Sequence, residues 1–373
     1  MVDKKKYRRK IIGYCYRAIL KKILFQFDPE KVHDTTINLG IFLGKYNITR
    51  SVTRWLFSFR DSMLEQTIFG LRFVNPVGLA AGFDKNGQLM DIMPDVGFGF
   101  VEVGSVTAEP CSGNPKPRLW RLPRLRSLAV YYGLKNDGAM VLTKRLRSVQ
   151  RRIPCGISVA KTNSVDTVET EVGILDYMKG FRMVAPAADY ITLNISCPNT
   201  FGGEPFVDPE RLEKLLIAFD RTGIHIPCFL KLPADITDAE IAAIVTVANR
   251  HTISGFVCVN LTKDRMNPIL HHENIPPHGG LSGSIVAARA DAVLAKVYAL
   301  TGGKKIIIGV GGIFSAADAY RKIKLGASLV QLITGMIYEG PQLIGEINVG
   351  LSRLLKADGF MNITQAVGKG VRI

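Results

Sequence analysis

Lys305-Ile306-Ile307-Ile308-Gly309-Val310-Gly311-Gly312 shows no alternation of apolar and polar residues and ends in a glycine turn. A short run of that kind reads as a strand buried on both faces. Seven more runs share the texture: Val77–Ala81, Phe100–Val103, Ile157–Ala160, Tyr190–Ile195, Cys228–Leu232, Gly255–Asn260 and Leu329–Ile333. Amphipathic stretches such as Glu210–Arg221, Asp238–Asn249 and Ile285–Tyr298 separate most of them. Eight β runs alternating with helices predict an α/β fold, a parallel (β/α)8 barrel of the TIM type. The doubly wound alternative requires a GxGxxG turn after the first strand, and none follows Val77–Ala81.

Such a barrel takes ~250 residues, which leaves part of this 373-residue chain for something else. With 47% hydrophobic and 21% charged residues the chain is neither disordered nor a disulfide-stapled miniprotein. Its six cysteines include no CxxC pair, so they read as free thiols in a reducing compartment. No apolar run reaches the ~18 residues of a spanning helix, and no signal peptide is expected. The formal charge of +16 is uneven: residues 1–60 hold fourteen Lys and Arg against four Asp and Glu. No zinc-finger, RNP-type or basic-zipper pattern accompanies this arm, so nucleic acid is not the expected partner.

Wound as a helix at ~100° per residue, Ile12, Cys15, Tyr16, Ile19, Leu20, Ile23 and Phe27 share one face. Lys10, Arg17 and Lys21 fall opposite, Lys22 at the border, and Lys4-Lys5-Lys6 precede them. Such a helix suits an anionic membrane surface, or it docks on its own domain. Asp28-Pro29-Glu30 then reads as an N-cap and first turn opening a second helix to about Lys45. Val32, Thr36, Ile37, Leu39, Gly40 and Leu43 form its expected packing face. Trp55-Leu56-Phe57 and Phe59, flanked by Arg54 and Arg60, make a third apolar and basic piece. We divide the chain into a helical module, 1–62, that rests on a bilayer or takes a greasy ligand, and a barrel, 63–373.

Chemistry in a barrel gathers where strands end and βα loops begin. Those ends carry Lys85, Lys161 and Lys231, the amides Asn194, Asn199 and Asn260, the thiol of Cys197, and glycine turns at Gly311-Gly312 and Thr334-Gly335. Glycine turns after the last two strands, each leading into a helix, present N–H groups to a phosphate. Ser315 is the expected helix N-cap after the first of them. The ligand is then a phosphorylated substrate or a phosphate-tailed cofactor.

At this point the motifs resemble a family, the dihydroorotate dehydrogenases. The stretches that carry the resemblance are Asn75-Pro76-Val77-Gly78-Leu79-Ala80-Ala81-Gly82-Phe83-Asp84-Lys85-Asn86-Gly87, Gly104-Ser105-Val106-Thr107 with Gly113-Asn114-Pro115-Lys116-Pro117-Arg118, and Arg121-Leu122-Pro123. Asn194-Ile195-Ser196-Cys197-Pro198-Asn199-Thr200, Gly279-Gly280-Leu281-Ser282-Gly283 and Ile308-Gly309-Val310-Gly311-Gly312 follow in the family's order. Phe25-Gln26-Phe27-Asp28-Pro29-Glu30 with His33 resembles the extension of the class 2, quinone-reducing members.

The resemblance implies an FMN barrel oxidising dihydroorotate to orotate in pyrimidine synthesis, peripheral on the cytoplasmic side of an inner membrane, or on the mitochondrial one in a eukaryote. It implies Cys197 as the base and Lys231 beside the flavin. Lys85, Asn194, Asn199 and Asn260 then bind substrate. Ala80, Ala81, Gly82, Ser105, Ser158, Asn194, Lys231, Val259, Gly283, Gly312, Ile333, Thr334 and Gly335 hold the cofactor, and His33 with Arg121 marks the quinone site. Positive charge near Cys197 is expected to lower its thiol pKa from ~8.5.

The sequence also departs from the class 2 pattern. Cys197 stands where that class has serine, as in the soluble class 1 enzymes, which use acceptors such as fumarate and nicotinamide. Gly133-Leu134-Lys135-Asn136 again looks closer to class 1. Val130 replaces an expected amide, Leu261 a hydroxyl residue, and Ser158 an asparagine, with Thr262 or Asn136 as neighbours able to compensate.

Other patterns carry less. His271, His272 and His278 cluster in a Pro-rich loop without an HExxH pattern, so no metal is expected. Phe201-Gly202-Gly203-Glu204-Pro205-Phe206 reads as a lid hinge or a rigid turn. Rival readings are a dihydropyrimidine-like substrate on the same flavin barrel, a Schiff-base aldolase using Lys231 or Lys161, and a basic-arm adaptor on an inactive barrel.

Overall fold

The computed structural model describes residues 4–270 and 274–371, so His271 and His272 lie outside the described residues. In chain order the strands are Gln66–Ile68 (β1), Leu71–Phe73 (β2), Val77–Leu79 (β3), Phe100–Val106 (β4), Leu119–Leu122 (β5), Ser127–Val130 (β6), Cys155–Val159 (β7), Tyr190–Asn194 (β8), Cys228–Leu232 (β9), Gly255–Cys258 (β10), Gly280–Gly283 (β11), Ile306–Val310 (β12) and Leu329–Leu332 (β13). Strands β3, β4, β7, β8, β9, β10, β12 and β13 close into a barrel in that order, β13 pairing back to β3. All neighbours are parallel. The eight apolar runs are these eight strands, with ends moved by up to three residues.

Aromatic rings fill the lower barrel: Phe100, Tyr190 and Phe229 pack edge to face or tilted against one another. Two neighbouring strands must be glycine to admit them. A Cβ on Gly78 would lie 2.3 Å from Phe100 Cζ, and one on Gly156 would lie 2.0 Å from Tyr190 Cζ. The β1–β2 hairpin closes the floor, with the Phe73 ring 5.5 Å from that of Phe100. Ser315 caps its helix as expected, accepting from Asp318 N, and two more outer helices start on caps of the same kind: Asp208 accepts from Arg211 N, and Thr237 and Glu240 form a capping box.

One sheet falls outside the sequence reading. Strands β11, β6 and β5 pair antiparallel in that order beside the mouth. They interrupt two βα connections and place Arg121, Val130 and Gly283 in one sheet.

At the amino terminus, helix α1 (Lys4–Cys15) runs through a π-helical turn, Tyr16–Leu20, into α2 (Lys21–Leu24). Asp28 caps α3 (Pro29–Lys45) at Lys31 N, 2.8 Å, with Pro29 in the first turn as expected. Helix α4 (Asn47–Phe57) follows. The docking differs from expectation. Thr36 and Leu39, assigned to the packing face of α3, are exposed, and the inward stripe is Glu30, His33, Ile37, Gly40 and Gly44. Gly40 lets Leu89 approach, since a Cβ there would lie 2.6 Å from Leu89 Cδ2. The first helical segment turns Gly13 inward and leaves Ile19, Leu20, Ile23 and Phe27 exposed. Tyr16 Oη donates to Ile337 O at 2.7 Å and Arg17 pairs with Glu339 at 3.4 Å. The module thus seats Ile37, Leu43 and Phe59 on the barrel among small and polar residues, and turns many of its other apolar side chains outward.

Candidate active site

A cavity opens above the carboxyl ends of the strands, between the barrel mouth, the β5–β6–β11 sheet and α3. It is lined by Cys197, Lys231, Lys85, Asn194, Asn199 and Asn260, and by Ala80, Ala81, Gly82, Ser105, Val259, Gly283, Gly312, Ile333, Thr334, Gly335 and His33. Three expected residues stand behind its wall. Ser158 is fully buried and holds Ser105 through a 2.7 Å hydroxyl pair. Lys161, expected at the mouth, donates to Phe201 O at 2.8 Å and Thr167 Oγ1 at 3.3 Å. Arg121 lies over the Phe25 ring at 4.6 Å and donates to Phe27 O at 2.8 Å.

Strand alternation builds a polar ladder across the mouth. Asn194 Nδ2 donates to Ser105 Oγ at 2.8 Å, and Asn260 Nδ2 donates to Asn194 Oδ1 at 3.5 Å and Ser196 O at 2.7 Å. Asn199 Nδ2 donates to Val130 O at 2.9 Å, while Asn114 Nδ2 holds Asn199 O at 3.1 Å. The compensating neighbours do not line the cavity. Thr262 is bonded to Asp235, and Asn136 donates to Thr107 Oγ1 at 2.8 Å and Leu134 O at 2.7 Å.

At the opposite end lies a cradle of backbone. Gly312 has φ +71° and Gly283 φ +101°. A Cβ on Gly312 would lie 2.6 Å from Ala287 Cα, one on Gly283 2.5 Å from Arg126 O, and one on Gly335 2.0 Å from Ile313 O. Backbone this close, with the Ser282–Thr334 hydroxyl pair at 2.9 Å beside it, presents N–H and O–H groups to a phosphate.

The electrostatics correct one expectation. Burial pushes the Cys197 thiol up to about 11, with Glu204 adding to it, and the positive charges of Lys161 and Lys231 offset only part of this. The resting group is the neutral thiol. Lys231 is 5% exposed and its pKa is lowered by burial, against the opposing charges of Glu102 and Cys197. Glu102 sits beneath, its Oε2 accepting from Thr192 at 2.9 Å and Gln331 at 3.1 Å. Burial, reinforced by Lys135, pulls Lys85 down to about 8.

On the helical side, His33 Nε2 bonds the Phe83 carbonyl at 2.9 Å, and its ring meets that of Phe83 edge-on at 5.2 Å. Burial and the Lys85 charge hold His33 down at about 4, so it is neutral at pH 7. Leu119, Leu128 and Ile337 add apolar lining to the cavity. Glu30 of α3 is gripped by Arg118 at 2.8–3.2 Å. Burial raises its pKa, but the Arg118 bonds and charge prevail and hold it at about 2.

The sequence reading passed over Phe83, Tyr132, Lys135 and Ser282, which also line the cavity. Phe83 and Ser282 sit inside quoted motifs, and Tyr132 and Lys135 flank a turn made by Gly133 and Leu134, both with positive φ. His278 stacks on Tyr131 with centroids 5.4 Å apart.

Residues 63–355 match the family model described as dihydroorotate dehydrogenase. A dihydroorotate dehydrogenase (quinone) of Rhodospirillum rubrum is 40% identical over 348 residues, covering 91% of each chain. That of Natronomonas pharaonis is 39% identical over 350 residues, covering 94% of this chain and 98% of the other. The dihydroorotate dehydrogenase of Eimeria tenella in complex with ferulenol superposes with a TM-score of 0.82 at 31% identity, covering 92% of this chain and 95% of that one.

Proposed function

The chain belongs to the dihydroorotate dehydrogenase family, and from that premise we propose how its cavity oxidises dihydroorotate to orotate and passes the electrons to a quinone. One observation carries the reading: a single cavity is lined by the Cys197 thiol, a buried lysine, three asparagines and a glycine cradle, together with His33 and an apolar wall.

The cradle and the flat Ala80-Ala81 floor fit FMN, the cofactor the family generally uses. Gly283, Gly312, Thr334 and Gly335 would hold its phosphate. Ala80, Ala81, Gly82, Val259 and Ile333 would pack its ring, and Ser105, Asn194 and Lys231 would meet its polar edge, with Ser158 supporting Ser105. Bound there, FMN supplies the hydride acceptor.

The chain's own residues do the rest. Cys197 Sγ, reacting from the minor thiolate form, takes the proton from the substrate ring carbon next to the one that loses hydride and is left as the neutral thiol. Lys161 and Lys231 supply the positive charge that opposes the thiol's burial. Lys231 carries a cation where negative charge collects on reduction. Lys85, Asn194, Asn199 and Asn260 orient the substrate, and the Phe201–Phe206 loop shields Cys197 from water.

The quinone enters beside His33, between α3 and the apolar wall, while Arg121 fixes the chain at Phe25 and Phe27. The exposed face of the helical module, residues 1–62, rests on the membrane surface from the cytoplasmic side, and the barrel, 63–373, carries the chemistry. Among the described residues no helix is long and apolar enough to cross a membrane.

The test is a visible spectrum of the purified protein, taken anaerobically before and after adding dihydroorotate. A flavin band that bleaches, and returns on adding a soluble quinone, is the expected result. A band that survives dihydroorotate would overturn the substrate, and a colourless protein that takes up no FMN would overturn the reading as a whole.

A further inference from the structure

The cavity is lined by Lys85, Lys135, Lys231 and His33 and, among the described residues, by no carboxylate. Lys231 stands within the barrel, beside Cys197 and Glu102. The other two lysines gather around Tyr132: Lys85 Nζ lies 4.0 Å from its ring centre, and Lys135 follows it across the Gly133-Leu134 turn. That turn is pinned, because Asn163 Nδ2 donates to Gly133 O at 3.1 Å and a Cβ on Gly133 would strike the Asn114 side chain.

Lys135 has a carboxylate nearby, Glu30 Oε1 at 3.5 Å. That carboxylate is already engaged: Arg118 holds both of its oxygens at 2.8–3.2 Å, and Lys116 stands 3.6 Å away. One negative charge therefore faces three cations, and the surplus positive charge borders the cavity. On the same cavity lining Val130 and Leu261 are aliphatic and Asn199 Nδ2 donates to Val130 O, while the buried Tyr132 hydroxyl has no hydrogen-bond partner. Two ammonium groups on one cavity wall, with only the Glu30 carboxylate that Arg118 already holds in ion-pair range, form a site for an anion.

We propose that Lys135 is a second substrate-binding ammonium, which with Lys85 grips the carboxylate of dihydroorotate and orotate, and that Glu30 of the amino-terminal module is its positioning residue. The proposal rests on the reading of the cavity as the dihydroorotate site. It makes the module that receives quinone part of the frame that receives the other substrate.

The experiment is an orotate titration of the holoenzyme, followed by the change in flavin absorbance. Lys135→Met raises the orotate Kd by about tenfold or more, the effect of losing one charge-assisted contact. Lys135→Arg recovers most of the loss, and FMN content, Tm and quinone KM stay at wild-type values. Uracil, the same kind of ring without the carboxylate, binds wild type and Lys135→Met alike. Glu30→Gln weakens orotate in wild type and adds nothing on the Lys135→Met background. An orotate Kd within twofold of wild type in Lys135→Met, or an equal loss for uracil, overturns the role of Lys135. Independent effects of the two substitutions overturn the role of Glu30. Failure of the wild type itself to respond to orotate overturns the cavity reading, and this proposal with it.

Discussion

In the barrel, Phe100, Tyr190 and Phe229 are 0, 2 and 3% exposed, whereas Leu39, Phe42 and Trp55 of the helical module stand 54, 55 and 60% exposed. Both regions are rich in large apolar side chains, but the barrel buries its own and the module presents them to something else. Half of the exposed large apolar side chains of the described residues fall within residues 11–55. Such a concentration marks an interaction surface. The module is attached by a few apolar side chains, Ile37, Leu43 and Phe59, together with Arg54 to Asp95 at 2.7 Å, Arg118 to Glu30, and the glycine stripe of α3.

The contrast is open to attack from several sides. Cys197→Ala tests the chemistry assigned to the barrel mouth: bleaching by dihydroorotate slows on the order of 10²–10⁴-fold while the yellow colour stays. Stopped-flow absorbance reads it, and an unchanged rate removes Cys197 as the base. In the wild type the same rate climbs from pH 7 to pH 9 without a plateau, because burial keeps the thiol near 11. Phe100→Ala, in the sealed floor, costs about 3–5 kcal/mol in denaturant unfolding.

A milder pair addresses the module. Leu39→Ser with Phe42→Ser weakens binding to phosphatidylglycerol vesicles by roughly tenfold or more, from the apolar area lost. It moves stability by less than about 0.5 kcal/mol per site, and bleaching is unchanged. A large loss of stability would mean that these side chains are packed in solution.

The smallest effect is in pH. Glu30 is held at about 2, below the ordinary carboxylate value, so its stabilising contribution is complete above about pH 4.5 and is lost as pH falls toward 2. The Tm of Glu30→Gln therefore lies below wild type at pH 7, and the gap closes on acidification. A gap that persists at pH 2 would assign the loss to packing instead of charge.

Most of the barrel could be read from the chain because a strand buried on both faces leaves an apolar run with no alternation, and a glycine turn marks its end. Caps at Asp28 and Ser315 were legible for the same local reason. What escaped depends on partners distant in sequence. Nothing near Tyr16 encodes a π-helical turn, and the β5–β6–β11 sheet joins segments some 150 residues apart. At the site, residue types and their clustering were visible, but not which stand in front. Ser158 supports Ser105 from behind, Lys161 is turned to Phe201, and Lys135 comes forward because of a turn with two positive φ angles. The Cys197 pKa was misjudged because flanking charges can be counted in a sequence, while the depth of burial that outweighs them cannot.

The bond from Tyr16 Oη to Ile337 O, with Arg17 on Glu339, has a bearing on biosynthesis. On a ribosome these helices emerge before the residues that receive them, which lie 321 and 322 positions further along the chain. The earlier-made helices therefore dock late, and their apolar surface waits for that seat while the barrel between is made. A bilayer that captured the nascent helices would hold the unfinished chain by the same face the finished protein turns outward.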